Sequence, residues 1–180
     1  MTTVMPARAG IQFLFALASV LPGLAAAGNV TEVAAGSVMP VADRIVIEKG
    51  RHTLSLYAHG QRLVSFSVAL GRRPVGRKVC QGDDRTPEGY YFVSGRKDDS
   101  DFHRALRISY PSPEDRARAE LTGCDPGGDI MIHGLKQDWG ADSRFHVLHD
   151  WTKGCVAVTN EEIERIWRMV PDGAEVEIKP

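Results

Sequence analysis

The sequence predicts a mainly β domain with two short helices, a β-sandwich or half-barrel built from short strands. Two observations point to the strands. Apolar residues alternate with period two in several short runs, as in Thr53-Leu54-Ser55-Leu56-Tyr57. Glycine- and proline-containing turns separate those runs, as at Lys49-Gly50 and His59-Gly60. The third observation limits the helices: only the segments beginning near Pro113 and near Glu161 carry helix-start signals.

In chain order, residues 1–27 have the three-part layout of a secretory signal peptide. Arg8 is their sole charge, Ile11 to Leu21 is a short apolar core, Pro22-Gly23 breaks it, and Ala25-Ala26-Ala27 offers small residues for cleavage. The core is well short of the ~20 residues of a membrane span, so no span is expected after cleavage near Ala27. No cysteine follows to take a lipid. The expected location is the periplasm. Residues 28–42 read as a short linker, and 43–180 as one domain.

Within that domain, Arg44-Ile45-Val46-Ile47-Glu48, Thr53 to Tyr57 and Leu63 to Leu70 form a meander of three strands. Gly71 to Gly82 is a loop with Arg72, Arg73, Arg77 and Lys78, expected to be solvated, with the carboxylates of an acidic substrate as the alternative partner. Gly89-Tyr90-Tyr91-Phe92-Val93 and Leu106 to Tyr110 are further strands, with Asp98, Asp99 and Asp101 in a polar turn between them. Pro113 to Glu120 is a helix with acids in its first turn. Asp129-Ile130-Met131-Ile132 is a compact strand that delivers His133. Asn160 caps a helix whose Ile163, Ile166, Trp167 and Val170 share a face, and Glu175 to Ile178 closes the domain as a strand.

With 22 basic and 23 acidic residues and no block of like charge, the chain has no electrostatic footprint for nucleic acid or an anionic membrane. Three cysteines leave one unpaired in an oxidising compartment. If Cys155 stays a thiol, the remaining pair is Cys80 with Cys124; the sequence leaves open whether they bond.

Cys155 follows Gly154 in Thr152-Lys153-Gly154-Cys155-Val156. A cysteine nucleophile acts as the thiolate and needs a base beside it. Gly154 allows a tight turn that frees backbone N–H groups for an oxyanion. His133, at a strand end before Gly134, is the candidate base, and His149 the reserve. Bland readings stand beside this one. Cys155 also suits a small buried hydrophobe, His133 a core histidine, and Trp139, Trp151 and Trp167 packing. His133, His146, His149 and Cys155 are zinc-ligand types, but without a Cys-x-x-Cys or His-Glu-x-x-His spacing no metal is expected.

The ordered set Val68-Ala69-Leu70-Gly71, Gly82-Asp83, Thr86-Pro87-Glu88-Gly89-Tyr90, Ile108-Ser109-Tyr110-Pro111, Ile130-Met131-Ile132-His133-Gly134 and Gly154-Cys155-Val156 resembles the L,D-transpeptidase catalytic domain, or YkuD-like family, over most of the chain from Asp43 to Ile178. The resemblance implies a mainly β fold and peptidoglycan stem tetrapeptides as substrate, with roles in peptidoglycan biosynthesis, cell-wall organisation and cell shape. It carries the nucleophile to Cys155 and the base to His133. It gives Gly134 the carbonyl that orients the imidazole, and Cys155 an oxyanion N–H supported by Gly154, Thr152 and Lys153. It implies no cofactor. The acceptor would be a second stem, an outer-membrane lipoprotein or, in a hydrolase, water. Two positions depart from the family. Lys153 stands where Ser/Thr-His-Gly-Cys has histidine, so His133 is the sole nearby base, with the Lys153 charge favouring the thiolate. Ala157 stands where many members have arginine, as in a Gly-Cys-x-Ala subgroup that includes an amidase releasing peptidoglycan-linked lipoprotein. These departures keep two alternatives open: a hydrolase of the same family, and a non-catalytic wall-binding module.

Overall fold

The computed structural model describes residues 39–136, 139 and 143–180. The expected signal peptide and most of the expected linker lie outside the described residues. The elements are β1 (Arg44–Glu48), β2 (Thr53–Ala58), β3 (Gln61–Ser67), β4 (Gly89–Ser100), β5 (His103–Ile108), α1 (Pro113–Thr122), β6 (Met131–His133), β7 (Val156–Ala157), α2 (Asn160–Met169) and β8 (Glu175–Lys179). Short 3-10 helices occupy Lys49–Arg51 and Ser143–Leu148.

The strands form one mixed sheet in the order β3-β2-β1-β8-β4-β5-β6-β7. β1 pairs antiparallel with β2 and parallel with β8, in register Arg44↔Tyr57 and Arg44↔Glu175. Alternation then sends Ile45, Ile47, Leu54, Leu56, Val176 and Ile178 into the core. α2 closes that core with Ile163, Ile166 and Met169. β4 turns the sheet: Gly89 to Phe92 pair with β8, while Val93 to Ser100 pair with β5 across register shifts.

The two ends of this order meet. Just beyond β3, Ala69 exchanges hydrogen bonds with Ala157 of β7, Ala69 N–H to Ala157 O at 3.0 Å and Ala157 N–H to Ala69 O at 2.9 Å. Thr152 N–H donates to Leu70 O at 3.1 Å, and Arg72 N–H to Thr152 O at 3.0 Å. Of the two forms expected, the half-barrel is therefore the nearer description.

Three local expectations are corrected, and one open question is closed. Asp98 and Asp99 lie within β4, and only Asp101 occupies the turn; backbone pairing with β5 extends the strand past its last buried side chain. The cap of α2 is Thr159, which forms a capping box with Glu162. Asn160 instead begins the helix, and its side-chain oxygen accepts the Leu135 N–H at 2.7 Å. Lys78 is buried rather than solvated, its ammonium donating to Cys80 O and Asp83 Oδ1 at 2.9 Å each. Cys80 and Cys124 form a disulfide across 44 residues of sequence, with Cα atoms 5.7 Å apart.

Candidate active site

β6 and β7 are short, but their parallel pairing decides which side chains meet. Ile132 aligns with Val156 and His133 with Ala157. Ile132 and Val156 point into the core, so the strand period sets His133 and the residue before Val156, Cys155, toward the opposite face. Both line one cavity of about 490 Å3, with Phe102, Trp139, Trp151, Arg72, Lys136, Thr152 and Lys153 completing its wall.

His133 is held tightly and is 4 % exposed. Its ring lies 4.5 Å from that of Phe102 and 5.8 Å from that of Trp151, which packs at 4.7 Å on Trp139. Its Nδ1 is 2.7 Å from Gly134 O. A carbonyl only accepts, so Nδ1 carries the proton and Nε2 presents a lone pair. Burial drives the imidazole pKa down to about 4, against the raising effect of the Gly134 bond, with nearby His146 lowering it further. The ring is thus neutral at ordinary pH. Gly134 is needed for this placement: a Cβ there would meet Asn160 Oδ1 at 2.5 Å and Phe102 O at 3.0 Å.

The cysteine turn is fixed by its neighbours. Gly154 has φ +131°, and a Cβ on it would lie 2.7 Å from Arg85 O. Thr152 Oγ1 accepts the Gly154 N–H at 3.0 Å and donates to Cys155 O at 2.7 Å. The Gly154 amide is therefore occupied, whereas the Cys155 N–H has no partner among the described residues. The Cys155 thiol donates to Asp129 O at 3.6 Å. Burial pushes its pKa up and the Asp129 charge adds to that, against the Met131 N–H and the charge of Lys78, which pull it down. At neutral pH the cavity holds a neutral thiol and a neutral imidazole.

The other sequence candidates separate. Thr152 and Lys153 are on the cavity wall, whereas His149 is exposed and is not among the lining residues. His146 is buried, with an Nδ1 that has no partner among the described residues. No three His, Cys, Asp or Glu side chains gather in metal-binding geometry among the described residues.

Sequence reasoning did not single out Asp150, whose carboxylate accepts the Leu70 N–H at 2.7 Å and lies 3.0 Å from His52 Nε2. It also read Trp139 and Trp151 as packing. The aromatic density of 139–151 just before the cysteine was the available signal.

The profile of the YkuD family, the L,D-transpeptidase catalytic domain, matches residues 42–178. YafK of Escherichia coli (strain K12), which carries a provisional L,D-transpeptidase name, is 32 % identical over 133 residues, covering 70 % of this chain and 46 % of YafK. The chain thus spans about half the length of that relative. YqjB of Bacillus subtilis (strain 168), with a name of the same provisional kind, is 26 % identical over 133 residues, 73 % of this chain and 68 % of YqjB. Among solved structures, the helical cell shape determining protein Pgp2 from Campylobacter jejuni superposes with a TM-score of 0.60 at 23 % identity, over 77 % of this chain and 48 % of Pgp2. An L,D-transpeptidase from Mycobacterium smegmatis gives 0.51 at 13 %, over 77 % and 59 %. At these identities the structural likeness shows the fold alone.

Proposed function

The chain belongs to the L,D-transpeptidase catalytic-domain family, and on that premise we propose that it is an exported cysteine acyltransferase acting on peptidoglycan stem tetrapeptides. His133 Nε2 takes the proton of Cys155 as the sulfur attacks the carbonyl of the diaminopimelate residue. The Cys155 N–H holds the resulting oxyanion. Collapse expels the terminal D-Ala, whose nitrogen takes the proton from His133, and leaves a thioester on Cys155. An amine then attacks, giving its proton to His133, and the departing sulfur recovers it. The amine belongs to a second stem or to an outer-membrane lipoprotein.

The observation that carries this reading is the His133 Nδ1–Gly134 O bond, which fixes a neutral base in the cavity shared with Cys155. Export is supported by the Cys80–Cys124 disulfide, a bond that persists in oxidising compartments. It predicts a mature chain starting after Ala27, which N-terminal sequencing of the periplasmic protein checks.

The decisive experiment is the mass of the protein after exposure to a tetrapeptide donor without acceptor. An adduct equal to the donor less D-Ala, absent in Cys155→Ala, is expected. Equal processing of muropeptides by Cys155→Ala and wild type overturns the mechanism. With donor and acceptor together, cross-linked dimers mark transfer. Ala157 motivates a second reading, hydrolysis, which yields a shortened monomer instead. An inert thiol in a protein that still co-sediments with peptidoglycan marks a wall-binding module.

A further inference from the structure

Two cations stand on the wall of the cavity that holds the thiol. An isolated parallel bridge pairs Gly71 with Thr152, and the Arg72 N–H donates to Thr152 O at 3.0 Å, so Arg72 and Lys153 each directly follow a residue of that bridge. Both line the cavity that holds Cys155, and Lys136 adds a third cation, its ammonium 5.5 Å from the Phe102 ring centre. Among the described residues, no aspartate or glutamate lines the cavity. Arg72 reaches Asp84 at 3.6 Å, well beyond the ~2.7–2.9 Å of a charge-assisted hydrogen bond. Lys153 is exposed and makes no ion pair among the described residues. Like charges gathered on one cavity wall cost stability. An anion bound between them reverses that cost, and a guanidinium beside an ammonium suits a carboxylate.

The fold also explains why the anion site is here. The residue two beyond the nucleophile, Ala157, is fully buried and bonded through its backbone to Ala69. It is closed into the seam of the sheet and offers the cavity no cation. Lys153 lies two residues before Cys155 on the open side. In a donor peptide with a free C-terminus, the carboxylate of the departing amino acid is only three bonds from the carbonyl carbon under attack. A carbonyl held at the Cys155 sulfur therefore keeps that carboxylate within the same cavity.

We infer that Arg72 and Lys153 form a carboxylate clamp that selects acyl donors whose departing amino acid carries a free α-carboxylate. The inference rests on the proposed acyl transfer at Cys155 and specifies its donor. Peptide termini are then substrates. A bond whose departing residue continues into a longer chain lacks the α-carboxylate and is a poor donor.

The test uses three synthetic versions of one tetrapeptide: terminal carboxylate free, terminal carboxylate amidated, and terminal carboxylate free with the diamino acid's side-chain carboxylate amidated. The readout is the rate of adduct formation on Cys155 by mass spectrometry. Wild type is expected to react about tenfold or more slowly with the terminal amide and nearly normally with the third peptide. Arg72→Gln and Lys153→Met each lose about tenfold on the free acid, mainly in KM, and little on the terminal amide. Lys153→Arg retains the preference. The pH profile of Cys155 alkylation by neutral iodoacetamide stays that of wild type in Lys153→Met.

Equal acylation of wild type by acid and terminal amide overturns the clamp. So does a loss confined to the third peptide, which places the anion on the acyl side, or a displaced alkylation profile, which means that Lys153 acts on the thiol. Adducts with some donors but without this preference leave acyl transfer standing. No adduct with any donor removes acyl transfer and the clamp together.

Discussion

The meander half of the sheet and the half that carries His133 and Cys155 are held together by different means. In β1, β2 and β8 the core-facing side chains are buried and each pairing with β1 runs for five residues. In the other half, β6 has three residues and β7 two, too few for burial and ladder bonds alone to fix a geometry. Polar ties replace them. Lys49 donates to Gly76 O, Thr86 O and Glu88 Oε1 from a buried position. Asp83 gathers the N–H groups of Val79, Cys80 and Arg85 together with the Lys78 ammonium. Asp150, Thr152 and the disulfide do the same closer to the thiol. The contrast teaches that one continuous core is positioned in two ways: by long ladders in the meander and by polar ties around the site.

Substitutions should divide along that line. The largest effect is on chemistry. Cys155→Ala loses acylation by about a thousandfold or more while its thermal midpoint stays near that of wild type. A lowered midpoint would place the thiol among the structural groups. Removing the disulfide in Cys80→Ser with Cys124→Ser should cost about 4 kcal/mol in urea unfolding, from the entropy of a 44-residue separation. It should also slow acylation, because Asp129, which accepts the thiol hydrogen, follows Cys124 closely. Leu54→Ala, in the fully buried core of the meander, should cost about 3 kcal/mol yet leave the rate per folded molecule unchanged. A slower rate there would erase the distinction between the halves.

Acid should affect both halves through one residue. The folded-state pKa of His133, about 4, lies below its ordinary 6.5, so the unfolded chain binds the extra proton first. Stability is complete above pH 6.5 and is lost as pH falls toward 4, by on the order of 3 kcal/mol. That loss should be largely absent in His133→Gln. The acylation rate should fall only near pH 4, where the folded imidazole itself becomes charged. The smallest effect is that of Thr152→Val. It removes the hydroxyl bridging Gly154 N–H and Cys155 O and should slow acylation about tenfold, with a minor change in melting.

The meander, both helices and the two residues that share the cavity, Cys155 and His133, were legible in the sequence because each has a local signature: alternation, capping residues, glycine beside a polar group. The rest was hidden for physical reasons. β4 continues through Lys97, Asp98 and Asp99 on backbone pairing with β5, and polar outward side chains leave no alternation to read. β7 is too short for any period. The burial of Lys78 depends on Asp83 and Cys80 closing around its ammonium, a tertiary event invisible in a run of basic residues. The aromatic wall joins Phe102 to Trp151 from distant parts of the chain, and Arg72 and Lys153 reach one cavity wall only once the sheet has curled.

The Ala69–Ala157 seam has a temporal consequence. The turn carrying Cys155 gains its tethers to Leu70 and Arg72 only when remote stretches of chain dock, and such long-range closure comes late when loop entropy governs the order of events. A half-assembled polypeptide therefore lacks the ties that shape the turn before Cys155, and that turn takes its native geometry only as the two ends of the sheet meet.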